Sequence, residues 1–160
     1  MTPPELLAFL IDFYRDTLVL FKARQSNAQS VAAYDANNAY QQVLGRQEVH
    51  LQWIADAIAA LGGTAADSLD QVSGVASRET AKSIIDADAA AQKAFIERWS
   101  PRVTTVTNAR HRKMLGLVLG EMKEHLTLLQ HAAASRADLL GRHSDGKVLR
   151  GSVMAARPRN

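Results

Sequence analysis

Leu117-Val118-Leu119-Gly120-Glu121-Met122-Lys123-Glu124-His125-Leu126-Thr127-Leu128-Leu129 sets two acids and a histidine inside an apolar helical run. Val118, Met122, His125 and Leu129 share one stripe at spacings of three and four, with Glu121 on its margin. His125 therefore looks inward, and Glu121 lies within reach of it one turn away. Burying charge on such a stripe is costly unless the charge is paired or bound to metal. Taken alone, the segment also fits a solvated Glu/Lys/Glu edge beside one satisfied core histidine, so the rest of the chain must decide.

Composition narrows the class. The chain has 160 residues, 47% hydrophobic with only 6% aromatic, which suits packed helices and a single all-α domain with a real core. It has no cysteine, which excludes disulfides, thiolate metal sites and cysteine nucleophiles. The opening Met1-Thr2-Pro3-Pro4-Glu5 resembles neither a signal peptide nor a membrane span. A cytoplasmic location without membrane contact is the expectation. Net charge is +3, and most of the excess sits beyond Arg136, in Arg142, Lys147, Arg150, Arg157 and Arg159. A basic end of this kind is usually a solvated tail. Without a helix-turn-helix signature or interleaved aromatics it argues against nucleic acid as a partner.

The periodicity predicts four helices. The first starts at Thr2, with Pro3 and Glu5 completing a capping box, and turns inward Leu6/Leu7, Leu10, Phe13/Tyr14, Thr17/Leu18 and Phe21. The run from Arg24 to Ser30 turns polar, and Ser26, Asn27 or Ser30 can each cap a second helix. That helix ends at Leu61 before Gly62-Gly63; its stripe carries Tyr40, Val43/Leu44, Gln47, His50/Leu51, Ile54 and Ile58. A Gly/Ser/Thr/Asp-rich stretch follows, from Gly62 to Arg78. Its roughly 17 residues can stretch some 50 Å, far more than an antiparallel turn needs. Ser77-Arg78-Glu79-Thr80 offers the start of the third helix, which turns inward Ala81, Ile84/Ile85, Asp88, Gln92, Phe95, Trp99 and Val103. It breaks either at Ser100-Pro101 or in the β-branched run Val103 to Thr107 before Asn108. The fourth helix runs from Asn108 to Leu140 and stops at Gly141. Residues 1–141 thus form the bundle and 142–160 a basic tail.

Inward polar residues fall at matching depths. Tyr14 and Gln47 are 33 residues apart, as are Asp88 and Glu121, while Tyr14 to His50 and Asp88 to Glu124 both span 36. Two hairpins with equal arms put their turns near residue 30 and near residues 104–105, both in turn-like sequence. The second midpoint favours a break after Val103 over one at Ser100. The expected fold is a four-helix bundle with one long crossover between helices 2 and 3.

Residues 5–135 resemble the ferritin-like superfamily, in particular its bacterioferritin and rubrerythrin branch. The resemblance rests on Gln47-Glu48-Val49-His50 through Leu61-Gly62-Gly63 and on Glu121 to His125. It implies a ferritin-like four-helix bundle with a two-metal centre built from a Glu on helices 1 and 3 and Glu-x-x-His on helices 2 and 4. The departures are large: Tyr14 and Gln47 stand where the first two acids would be, Asp88 replaces the third-helix Glu, and Glu124 takes the histidine's place, with His125 one residue later. Two carboxylates are missing from one half, and hard iron or manganese needs them.

Two functions stay open. In one, Asp88, Glu121, Glu124 and His125, with His50 reaching across, hold an iron or manganese ion for oxidase- or peroxidase-like chemistry beside Tyr14, with electrons from an external donor. In the other, Tyr14, Gln47, His50, Asp88, Glu121 and His125 close a metal-free hydrogen-bond network in a scaffold or interaction module. Apolar residues off the main stripes, Phe9, Leu20, Leu117 and Leu128, suggest a homo-oligomer, at least a dimer.

Overall fold

The structure, a computed structural model, describes residues 1–66 and 80–136. Helix α1 spans Pro3–Ala28, α2 Tyr34–Ala60, α3 Ala81–Thr104 and α4 Ala109–Ala133, and no strand occurs among the described residues. The expected basic tail, 142–160, and most of the connection between α2 and α3, residues 67–79, lie outside the described residues.

Local chemistry sets most helix ends. The Thr2 backbone N–H donates to Glu5 Oε2 (2.6 Å) while the Glu5 N–H donates to Thr2 Oγ1 (3.5 Å), forming the expected capping box. Thr80 Oγ1 accepts from the Ser83 N–H at 3.2 Å and Asn108 Oδ1 from the His111 N–H at 3.1 Å, fixing the starts of α3 and α4. Helix α3 runs through Pro101, so the break falls after Thr104. There the hydroxyls of Thr104 and Thr105 donate to the Pro101 and Arg102 carbonyls (2.6 and 2.8 Å), satisfying acceptors that a helix end leaves bare.

Two boundaries differ from expectation. Helix α2 starts at Tyr34 with Ala33 at its N-cap and no side-chain cap. Ser26, Asn27 and Ser30 do not cap it, because α1 continues to Ala28 and buries Asn27. Instead, Asn37 Nδ2 ties the turn by donating to the carbonyls of Ala28 (3.3 Å) and Val31 (3.1 Å). Helix α4 stops at Ala133, short of Leu140. The Ser135 and Arg136 N–H groups fold back onto the Ala132 and His131 carbonyls, with Ser135 at φ 53°. This is the motif that Gly62 (φ 78°) and Gly63 form on the Ala59 and Ile58 carbonyls at the end of α2. A serine in the left-handed region gives no sequence signal comparable to glycine.

Helix α1 packs on α2 and α3, and α4 packs on both of them. Cross-helix pairs run in opposite senses. Phe9 meets Trp99 and Phe13 meets Phe95 at 5.3 Å between ring centroids, while Asn27 reaches Asp88 near the other end of α1. On the far side, His50 stacks on His125, and Ala57 and Ala60 of α2 line one hollow with Arg110 and His111 of α4. The apolar interior divides in two. Leu10, Phe13, Ile54, Ile58, Trp99, Leu115 and Met122 belong to one cluster, and Leu18, Phe21, Tyr40, Leu44, Ile84, Ile85 and Leu129 to the other. Trp99 is fully buried, its Nε1 donates to Asp16 Oδ2 (2.9 Å), and the Arg102 guanidinium lies 3.9 Å from its ring. Of the residues expected outside the core, Phe9 is buried against Trp99, Leu20 and Leu128 are half-buried, and Leu117 is exposed.

The two glycine-type helix ends generate opposite expectations. A Gly62→Ala change forces a side chain into φ > 0 with nothing nearby to clash and should cost about 1 kcal/mol, whereas Ser135→Gly relieves the same strain and should add up to about 1 kcal/mol. Urea denaturation of the full chain reads both; equal signs would contradict the assignment.

Candidate functional site

The buried stripe of α1 continues past Phe21 through Arg24 and Asn27. Long helical side chains lean toward the helix N-terminus, so Arg24 reaches back into the level where α2, α3 and α4 present their own polar groups. Its side chain is fully buried. Nη1 donates to Gln47 Oε1 at 2.7 Å and Nη2 to Gln92 Oε1 at 3.0 Å. Gln92 Nε2 in turn donates to the Met122 carbonyl at 2.9 Å. One guanidinium thereby links α1 to α2 and α3, and through Gln92 to α4.

The countercharge is Asp88, buried on α3. Its Oδ1 accepts from Asn27 Nδ2 at 3.0 Å and its Oδ2 from the Tyr40 hydroxyl at 2.6 Å. Burial, reinforced by the neighbouring Asp88 carboxylate, pushes the Tyr40 phenol well above its ordinary range, so it remains a donor. Burial pulls the Arg24 guanidinium down, and Asp88 opposes that shift. A guanidinium stays charged under such conditions.

A second group lies between α2 and α4. Arg46 Nε and Nη2 grip Glu121 Oε2 and Oε1 at 2.8 and 2.6 Å, a bidentate pair. His50 Nε2 lies 2.8 Å from Glu121 Oε2; because a carboxylate only accepts, this nitrogen carries the proton. Chiefly the Arg46 hydrogen bonds, then that of His50, hold the Glu121 carboxyl down at about 2. The fully buried His50 is pushed below its usual value by desolvation, against the pull of Glu121. Its ring stacks on His125 with centroids 6.0 Å apart and planes 28° from parallel. His125 is held down to about 4, first by burial and then by His50 and the Arg24 charge. Both imidazoles are neutral near pH 7.

The structure thus brings Gln47, His50, Asp88, Glu121 and His125 into the interior or its margin but divides them between two networks. Tyr14 lies half-buried at the α1–α2 edge, where it lines a shallow hollow with Phe21, Glu48 and Leu51. Phe13 takes the inward place. Glu124 is exposed on the outer side of α4, since its spacing from His125 turns it away from the stripe. Gln47 is occupied as the acceptor for Arg24.

These residues do not fit a carboxylate-bridged metal centre. Both oxygens of Asp88 and both of Glu121 are engaged by protein donors, and the Arg24 cation stands in the middle. Among the described residues no three His, Asp or Glu side chains converge as a metal-ligating group. Iron and manganese need anionic oxygen ligands, and none is left over here.

Sequence reasoning missed Arg24, Asn27 and Arg46. Arg24 and Asn27 follow Phe21 at spacings of three, so the stripe itself held the signal, but a polar run before a turn masked it. Arg46 sits at the margin of α2, and no signal in its own helix marks Glu121 as its partner.

Burial of the histidines makes stability depend on pH. Unfolded His125 titrates near 6.5 and folded His125 near 4, so between these values the unfolded chain binds more protons. Stability is complete above about pH 6.5 and declines as the pH falls toward 4, with His50 acting in the same direction. Urea denaturation at about pH 7 and about pH 5 should show this loss, and His125→Gln should shrink the difference. No protein-family model and no curated protein sequence matches the chain.

Proposed function

We propose that this chain is a metal-free, ferritin-like helical scaffold that serves as an interaction or assembly module. The observation that carries the reading is the fully buried Arg24, whose guanidinium joins Gln47 and Gln92 at the centre of the bundle. A fixed cation at that place repels a bound metal ion and has withdrawn the neighbouring polar groups from ligation. The ferritin-like topology is supported by the packing. With α1 antiparallel to both α2 and α3, those two helices run the same way, which is the arrangement a crossover between α2 and α3 calls for.

The alternative reading, an iron or manganese protein with oxidase- or peroxidase-like chemistry, has one observation in its favour. Nδ1 of His50 and Nδ1 of His125 are buried and make no hydrogen bond among the described residues, and the Glu121 contact orients His50 as a metal-bound histidine is commonly oriented. Two imidazole nitrogens without a free carboxylate remain a poor site for either ion.

Thermal denaturation of protein purified without chelator separates the two. In the metal-free scaffold, added Fe(II) or Mn(II) leaves the melting temperature unchanged. Glu121→Gln weakens a half-exposed ion pair by about 1 kcal/mol, and Arg24→Ala, which strands the buried Asp88 charge, costs about 3–5 kcal/mol. A metal-induced rise in melting temperature that Glu121→Gln abolishes would overturn the scaffold reading.

A further inference from the structure

Helix α4 carries Gly116 and Gly120 in its interior, where glycine weakens a helix relative to alanine. A Cβ at either position would meet nothing within 4 Å, so packing within one chain does not require them. Between them sits Leu117, 53% exposed. Lys113 and Glu124 continue the same exposed strip on either side. Among the described residues, the ion pairs join Arg46 and His50 to Glu121, Lys82 to Asp86, Lys93 to Glu97 and Arg98 to Asp16, and engage neither Lys113 nor Glu124.

We propose that this outer face of α4 packs on the same face of a second copy of the chain, antiparallel, about a two-fold axis passing between Val118 and Leu119. The strip is self-complementary in that register. Leu117 lies over Gly120 of the second copy, a knob on a bare patch of backbone, and Lys113 faces Glu124 of the second copy. Symmetry repeats each contact. A parallel arrangement would set Lys113 against Lys113 and Glu124 against Glu124, which selects the antiparallel one. The half-buried Leu128 and Met114 widen the apolar contact at its edges. The assembly does not depend on what fills the bundle's centre and so goes beyond the reading given above.

Sedimentation velocity of the full chain at tens of micromolar tests the interface. The parent protein is expected as a dimer and Leu117→Glu as a monomer that keeps the helical circular dichroism of the parent, because Leu117 is 53% exposed and lies outside both core clusters. Lys113→Glu and Glu124→Lys should each weaken association about tenfold or more, since each turns two attractions into two repulsions. An equimolar mixture of these two variants should dimerise again, because each chain then meets the opposite charge on the other. A monomeric parent, a Leu117→Glu protein that still dimerises, single charge variants that sediment like the parent, or a mixture no stronger than its components would each overturn the proposal.

Discussion

Burying a guanidinium between four helices is costly unless its donors and its charge are answered, and that demand organises the interior of this protein, where Nη1 and Nη2 of Arg24 are paired and Nε has no partner among the described residues. Gln47 and Gln92 accept from Arg24 on two sides, and Asp88 supplies the opposite charge without touching it directly. Asp88 needs donors of its own and takes them from Asn27 and Tyr40. Each residue in the set thus constrains the rotamer of the next, and residues from α1, α2 and α3, with the Met122 carbonyl of α4, must come to register together. Apolar packing above and below that level is generous and non-directional; the polar layer is where a shift of the helices would leave groups unpaired.

The second network is less demanding because it reaches solvent. Glu121 and Arg46 are partly exposed, with side-chain exposures of 28% and 43%, so water shares in their solvation and their pairing adds little to stability by itself. Its effect on the interior is larger than its energy. By accepting from His50 Nε2, Glu121 fixes the tautomer of a fully buried ring, and that ring presents its face to His125. Two neutral histidines can stack in an apolar bundle, whereas two charged ones could not, and the nearby Arg24 cation pushes the same way.

The two networks together also explain why inward acids do not by themselves make a metal site. A carboxylate on a helix facing a bundle interior is a ligand only while nothing else claims its oxygens. Here hydrogen-bond donors contributed by the same fold claim all four oxygens of Asp88 and Glu121. Asp88 and Glu121 serve as acceptors in protein-only networks.

The sequence by itself determined the four helices, their main caps and most of their inward faces, because 3.6-residue periodicity and N-cap chemistry act within a few residues of one another. Thr2 with Glu5, Asn108 and Gly62 were legible for that reason, as were the inward Gln47, His50, Asp88 and His125, while the start of α3 was legible only to within Ser77–Thr80. What only the tertiary structure decided was which groups meet. Arg24 looks like part of a turn until α1 is seen to continue through it. Tyr14 and Phe13 are adjacent, and only packing against Phe95 and Trp99 chose Phe13 for the core. Arg46 is an ordinary marginal arginine until α4 brings Glu121 beside it. Partners 68 or 75 residues away in sequence leave no local trace, because hydrogen bonding between helices depends on their relative rotation and depth, which no single helix specifies.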